Sequence, residues 1–185
     1  MSNWMNTNKT SRRSFTCGYC ENVVGPSESY DARGENRYIY ICPNCEQPTY
    51  ISPVGRQTPA PPFGRSVTGI SDPDVAGLYK EVRDCTAAGA YSSAVMAGRK
   101  ILMHVAVQKG ADPNLSFVAY VDYLADKGWV PPDSKPWLDS IRQKGNDANH
   151  EIMLMDEAAA KQVVHFTEML LRFVYELKSM VQNHL

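Results

Sequence analysis

Two short cysteine turns, Cys17-Gly-Tyr-Cys20 and Cys42-Pro-Asn-Cys45, constrain this chain more than any other feature. Two residues between the thiols put both sulfurs of a pair on one tight turn. Two such turns facing each other offer four thiolates in a tetrahedron, the geometry Zn²⁺ prefers. The 21 residues between the turns leave room for a hairpin, and residues 37–41 (RYIYI) read as a strand leading into the second turn. No βαβ pattern surrounds either pair, which argues against a thioredoxin-like redox pair. With Cys17, Cys20, Cys42 and Cys45 as ligands the coordination sphere is full and no position stays open for water, so the expected Zn²⁺ is structural. So small a β segment buries little apolar area, and metal binding is expected to supply much of its folding energy. Tyr19, Tyr30, Tyr38, Tyr40 and Tyr50 have two readings, stacking on bases or covering the face of the sheet.

At 185 residues the chain suits one domain plus a small appendage, and 43% apolar with 21% charged residues is a globular composition. Five cysteines are too few and too clustered for a disulfide scaffold, and the isolated Cys85 reads as a small core hydrophobe. No apolar run is long enough to span a bilayer, and the N-terminal MSNWMNTNKTSRR lacks the apolar core of a signal peptide, so a reducing cytoplasm is the expected compartment. Residues 1–70 hold seven Lys/Arg and five Asp/Glu, and residues 71–185 hold twelve and fifteen. Neither half has the positive excess that non-specific phosphate binding requires.

Residues 1–52 are therefore assigned to a small β zinc ribbon, residues 53–70, with four prolines and three glycines, to a linker, and residues 71–185 to a helical domain. The first helix opens at a Ser/Asp cap with a proline in the first turn, in SDPDVAGLYKEVRDCTAAG. A second carries Val95, Gly98, Leu102 and Val105 on one face and stops at Gly110. A third ends at Gly128, a fourth runs through PWLDSIRQKG, and a fifth spans about 157–183 with Val163, Phe166, Leu170, Phe173, Val174, Leu177 and Val181 on one stripe. The expected fold is thus mainly α, a five-helix bundle preceded by the ribbon.

Arg99 points along the apolar stripe of the second helix, where a guanidinium must either snorkel to the rim or find a partner such as Asp147 or Glu151. In IRQKGNDANHEI (141–152), Arg142, Asn146 and His150 fall four residues apart and share a face if the helix continues through Gly145. If Gly145 ends it, Asn146 or Asp147 caps a new turn and His150 is presented from a bend. An arginine that holds phosphate and a histidine that moves a proton are what a metal-free ribonuclease needs. The bland reading is a capping network between helices. His104 and His165 read as ordinary helix residues, and Trp129 and Trp137 as packing anchors around a proline-rich turn.

The order of motifs from Asp72-Pro73 through Ala88-Gly-Ala-Tyr91, Ser93-Ala-Val-Met-Ala-Gly-Arg99-Lys-Ile-Leu102, Leu124-Ala-Asp-Lys-Gly128 and Ile141-Arg142-Gln-Lys-Gly145-Asn146-Asp-Ala-Asn-His150 resembles the bacterial domain of unknown function 4145 family, grouped with the HEPN helical superfamily. The resemblance covers about residues 71–178. It implies an HEPN-like bundle, a homodimer formed through the helices, and a setting in restriction or phage-defence systems. It also implies a composite cleft in which Arg142 stabilises a phosphate, His150 acts as acid and base, and Asn146 orients. Arg142 and His150 enclose seven residues, more than the superfamily's nuclease motif, and Met103 stands where the family tends to carry a glutamate. The leading expectation is therefore a defence- or restriction-associated accessory or regulatory protein that binds RNA or DNA, a nucleotide or a partner protein. The alternative is a metal-independent endoribonuclease using Arg142, Asn146 and His150.

Overall fold

The computed structural model describes residues 4–9, 13–32, 35–130 and 154–182. The chain divides into two compact units, Met1–Pro62 and Phe63–Leu185.

The first unit is built from β1 (Asn8–Lys9), β2 (Phe15–Thr16), β3 (Val23–Val24), β4 (Glu28–Asp31), β5 (Tyr38–Ile41), β6 (Pro48–Ile51) and β7 (Gln57–Thr58). Antiparallel pairing gives a five-stranded sheet in the order β1-β4-β5-β6-β7 and a separate pair, β2-β3. Side chains alternate across the sheet as the pleat requires. Ser29, Tyr40 and Thr49 are register partners and are buried, with Phe15 packed on Tyr40 at 5.7 Å between ring centroids. Tyr30, Ile39, Tyr50 and Thr58 form the neighbouring row on the opposite face, where Ile39 and Tyr50 stay exposed. Pro48 opens β6, a strand position at which its missing N–H is tolerated.

In the second unit α1 (Pro73–Ala88) begins where Asp72 accepts from the amides of Asp74 and Val75, with Pro73 in the first turn, and ends at Gly89 (φ +82°). The left-handed conformation there is one that glycine adopts without steric cost. Helix α2 (Tyr91–Gln108) lies centrally, packed on α1, on α3 (Phe117–Asp126) and on α4 (Glu157–Leu171). Val95, Gly98, Leu102 and Val105 are buried as their spacing predicts. Ile101, Leu102, Leu124, Phe166, Leu170 and Leu171 make the centre of the core. Ser116 caps α3 and Asp156 caps α4. No described helix is long and apolar enough to cross a membrane.

The structure corrects the expected fold. The described residues hold four helical rods, a five-stranded sheet and a two-stranded sheet, not a five-helix HEPN-like bundle with a small β ribbon. The helix expected through PWLDSIRQKG falls outside the described residues. The β part is larger than expected because its sheet recruits β1 at one edge and β7 at the other. The last rod also departs from a straight helix: α4 runs into a π-helical turn, Arg172–Glu176, before resuming as Leu177–Gln182. A π turn inserts one residue and rotates all that follows by about 100°. Val163, Phe166, Leu170 and Val174 therefore face the core, while Phe173, Leu177 and Val181 of the same expected stripe are exposed.

Much of the stretch 53–70 is anchored within one unit or the other. Gln57–Thr58 pairs with β6. Phe63, Val67 and Ile70 pack on the helical core, and their backbone is gripped by side chains. The fully buried Arg83 donates to the carbonyls of Phe63 (3.0 Å) and Gly64 (3.1 Å). Tyr79 donates to the Arg65 carbonyl, Arg172 to that of Ser66, and Thr68 to the Glu176 carboxylate.

Candidate metal centre

The two cysteine turns have the same backbone construction. In the first, Cys17 N–H donates to Asn22 and Glu21 N–H to the Cys17 carbonyl; in the second, Cys42 N–H donates to Gln47 and Glu46 N–H to the Cys42 carbonyl. Glu21 (φ +59°) and Glu46 (φ +58°) both occupy the left-handed region that reverses the chain after the second cysteine. Gly18 is required for a different reason. A Cβ built there would lie 2.5 Å from the Pro59 carbonyl oxygen and 2.9 Å from that of Ala60, so residues 59–60 run directly against the first turn. Gln57 reinforces this by donating to the carbonyls of Thr16 and Pro59.

All four sulfurs lie within 4.8 Å of one another. Cys17 Sγ is 3.7 Å from Cys45 Sγ, and Cys20 Sγ is 3.8 Å from Cys42 Sγ. These separations are far too long for a disulfide at about 2.05 Å. A regular tetrahedron of sulfurs around Zn²⁺ at about 2.3 Å has edges of about 3.8 Å. The donor set thus fits a tetrahedral divalent ion in chemistry and in size. Cys17 and Cys42 are buried beside Phe15 and Val24, and Cys20 and Cys45 are half-buried.

Proton sharing among the thiols is uneven. Burial pushes Cys45 up to about 12, and the neighbouring thiols add to the rise. Burial also raises Cys17. Burial acts on Cys20 in the same direction, but hydrogen bonds from the Asn22 amide and the Asn44 and Asn22 side chains outweigh it and bring Cys20 down to about 6. Four thiolates packed this closely repel one another, so a cation that displaced the protons would stabilise the arrangement.

The other residues singled out in the sequence behave variously. Arg142, Asn146 and His150, and with them Trp137, Asp147 and Glu151, lie outside the described residues. Arg99 stacks its guanidinium over the Phe117 ring at 4.3 Å, and burial lowers its pKa. Tyr40 belongs to the sheet core, whereas Tyr19 and Tyr50 are exposed and Tyr30 and Tyr38 half-buried. Trp129 packs edge-on against Phe173 and beneath the Lys109 ammonium. Cys85 is partly buried, which raises its pKa, with Glu81 and Asp84 contributing. His165 lies edge-on to Phe63.

His104 is more than the ordinary helix residue its position suggests. Its ring nitrogen is 3.2 Å from the Asp72 carboxylate, Gln108 bridges to the same oxygen, and Tyr175 donates to Gln108. This network ties the start of α1 to α2 and to the π turn. Its members are up to 103 residues apart in the sequence, and no local pattern announces it.

Comparison with known families gives one result. A model described as "Domain of unknown function (DUF4145)" matches residues 80–183. No curated protein and no solved structure matches the chain.

Proposed function

This chain belongs to the domain of unknown function 4145 family, and on that premise we propose that it is an accessory or regulatory protein whose β unit, organised by a structural Zn²⁺, recognises a partner. The observation that carries this reading is the cluster of four cysteine sulfurs within 4.8 Å. Cys17, Cys20, Cys42 and Cys45 would hold the ion, and the ion would supply folding energy, with no position left for a reacting water. The cytoplasm suits the site, because a reducing compartment keeps the four thiols available as metal ligands.

The bacterial defence or restriction setting, the HEPN-type relationship and the homodimer belong to the same proposal and rest on the motif resemblance. A partner protein is favoured over nucleic acid for the β unit. In sequence, residues 1–62 carry six Lys/Arg (Lys9, Arg12, Arg13, Arg33, Arg37 and Arg56) against five Asp/Glu (Glu21, Glu28, Asp31, Glu35 and Glu46), near balance and far from the strong basic excess that draws phosphate.

Metal analysis of freshly purified protein tests the reading. One equivalent of zinc per chain is expected, and its removal by a chelator, or Cys42→Ser, is expected to unfold the β unit while helical circular dichroism persists. Less than half an equivalent would sink the assignment. The alternative, a metal-independent endoribonuclease using Arg142, Asn146 and His150, rests on the spacing of those residues. RNA cleavage in EDTA that is lost in His150→Ala with an unchanged thermal melt would establish it in place of the accessory role.

A further inference from the structure

The open face of the β unit carries a cavity of about 240 Å³ immediately beside the second cysteine turn. It is lined by Pro26, Ser27, Ile41 and Pro43, by Cys42, and by two acidic residues, Glu28 and Glu46. Drug-sized ligands occupy roughly 300–1,000 Å³, so this cavity is scaled to one side chain. Glu28 lies two residues from Tyr30 on β4 and therefore on the same face of the sheet. Trp4 contacts one of these lining residues, its indole N–H donating to the Glu46 carbonyl at 2.7 Å, with its ring edge-on to Tyr30 at 6.1 Å between centroids. Glu28 accepts from Thr7 at 3.3 Å, which leaves acceptor capacity on its carboxylate.

Apolar walls flanked by two acidic residues make up the chemistry that recognises an organic cation. The walls take an aliphatic stem, and the acidic residues, Glu28 above all, take the charged head. The proposed metal centre strengthens the effect, since four thiolates around one divalent ion leave a net charge of about −2 beside the cavity. Lys9 stands opposite Glu28 in the β1–β4 register, yet forms no ion pair with it among the described residues.

We propose that this cavity receives a basic side chain, a guanidinium or alkylammonium group presented by a partner protein. The proposal rests on the partner-recognition reading above and adds the chemistry of what is recognised. A free polyamine offers the same charged group, and the test separates the two sources.

The experiment titrates full-length, zinc-loaded protein with a fluorescent peptide of three arginines spaced by glycine and serine. The same peptide with citrulline in place of arginine serves as the control. The arginine peptide is expected to bind and the citrulline peptide to fail. Glu28→Gln and Glu46→Gln are each expected to weaken binding about tenfold, with the thermal melt unchanged. Equal binding of the two peptides overturns the proposal, and that comparison does not depend on any variant folding. Unaltered affinity in the double variant overturns it as well. Spermidine that competes on a par with the peptide overturns the assignment to a protein partner in favour of a free polyamine. An oligouridine that displaces the peptide and still binds the double variant overturns it in favour of nucleic acid. Zinc content measured on the same preparation tests the ribbon reading separately: one equivalent without peptide binding refutes the pocket alone.

Discussion

Two glycines in neighbouring helices provide a test in which one substitution has opposite signs. Glycine inside a helix costs roughly 0.5–1 kcal/mol relative to alanine, so Gly→Ala stabilises wherever the new methyl has room. Gly77 in α1 has room: a Cβ there meets nothing within 4 Å. At Gly98 in α2 the same Cβ would lie 2.4 Å from Val163 Cγ1, well inside contact distance. Val163 is 4% exposed and packs with Ala94, Val95, Ala159 and Ala160 where α2 crosses α4. Its β-branched side chain has one preferred rotamer in a helix, so relief requires the helices to separate. Overpacking of this kind costs about 1–3 kcal/mol. Set against the propensity gain, Gly98→Ala is expected to destabilise by about 0.5–2 kcal/mol, and Gly77→Ala to stabilise by about 0.5–1 kcal/mol. Urea titration of the zinc-loaded protein, followed by far-ultraviolet circular dichroism, reads both. Val163→Ala is itself destabilising, but in its background Gly98→Ala should recover most of its propensity gain, giving a coupling of about 1–3 kcal/mol in a double-mutant cycle. A stabilising Gly98→Ala in the wild-type background, or a coupling near zero, would refute the close-crossing explanation.

Arg83 supports a second prediction, because it is 2% exposed and holds two backbone carbonyls of the segment that enters the helical unit. Arg83→Ala is expected to cost about 2–4 kcal/mol by denaturant titration, and Arg83→Lys should not restore the loss, since one ammonium cannot reproduce the guanidinium fork. Proteolytic cleavage within 63–70 should become faster in both variants. A third prediction concerns pH. The Val75 amide, opposed by burial and aided by His104, holds the Asp72 carboxyl below its ordinary range. A depressed carboxylate contributes stability that is present above its unfolded pKa and fades as pH falls through the folded one. Asp72→Asn retains a cap, so it should flatten the acid limb of a stability–pH profile while leaving neutral pH little changed, and an unaltered limb would remove Asp72 from the account.

How much of this was legible in the sequence depended on the range of each interaction. The cysteine turns, the Asp72-Pro73 helix start and the buried face of α2 are set by residues a few positions apart, and they stand where the sequence places them. The straight apolar stripe expected along the last helix fails at Arg172–Glu176, because periodicity assumes an unbroken helical pitch that the π turn interrupts. Residues 53–70 read as a linker because proline and glycine lack periodicity, and composition says nothing of the carbonyls that Arg83, Tyr79 and Arg172 hold. No local pattern marks Glu28 or Glu46, since single acidic residues are common until a sheet brings two of them to one cavity.

The sequence by itself determined that four cysteines pair off on two turns and that the second half of the chain is helical. Local geometry and chemistry suffice for both: two residues between thiols make a turn, and caps and apolar spacing make a helix. Only the tertiary structure decided that the sulfurs stand 3.7 and 3.8 Å apart across the two turns. It alone decided that Gly18 must admit the backbone of residues 59–60 and Gly98 the side chain of Val163. These are contacts between residues distant in the chain, and their energies arise only when packing brings the atoms within van der Waals and hydrogen-bonding reach.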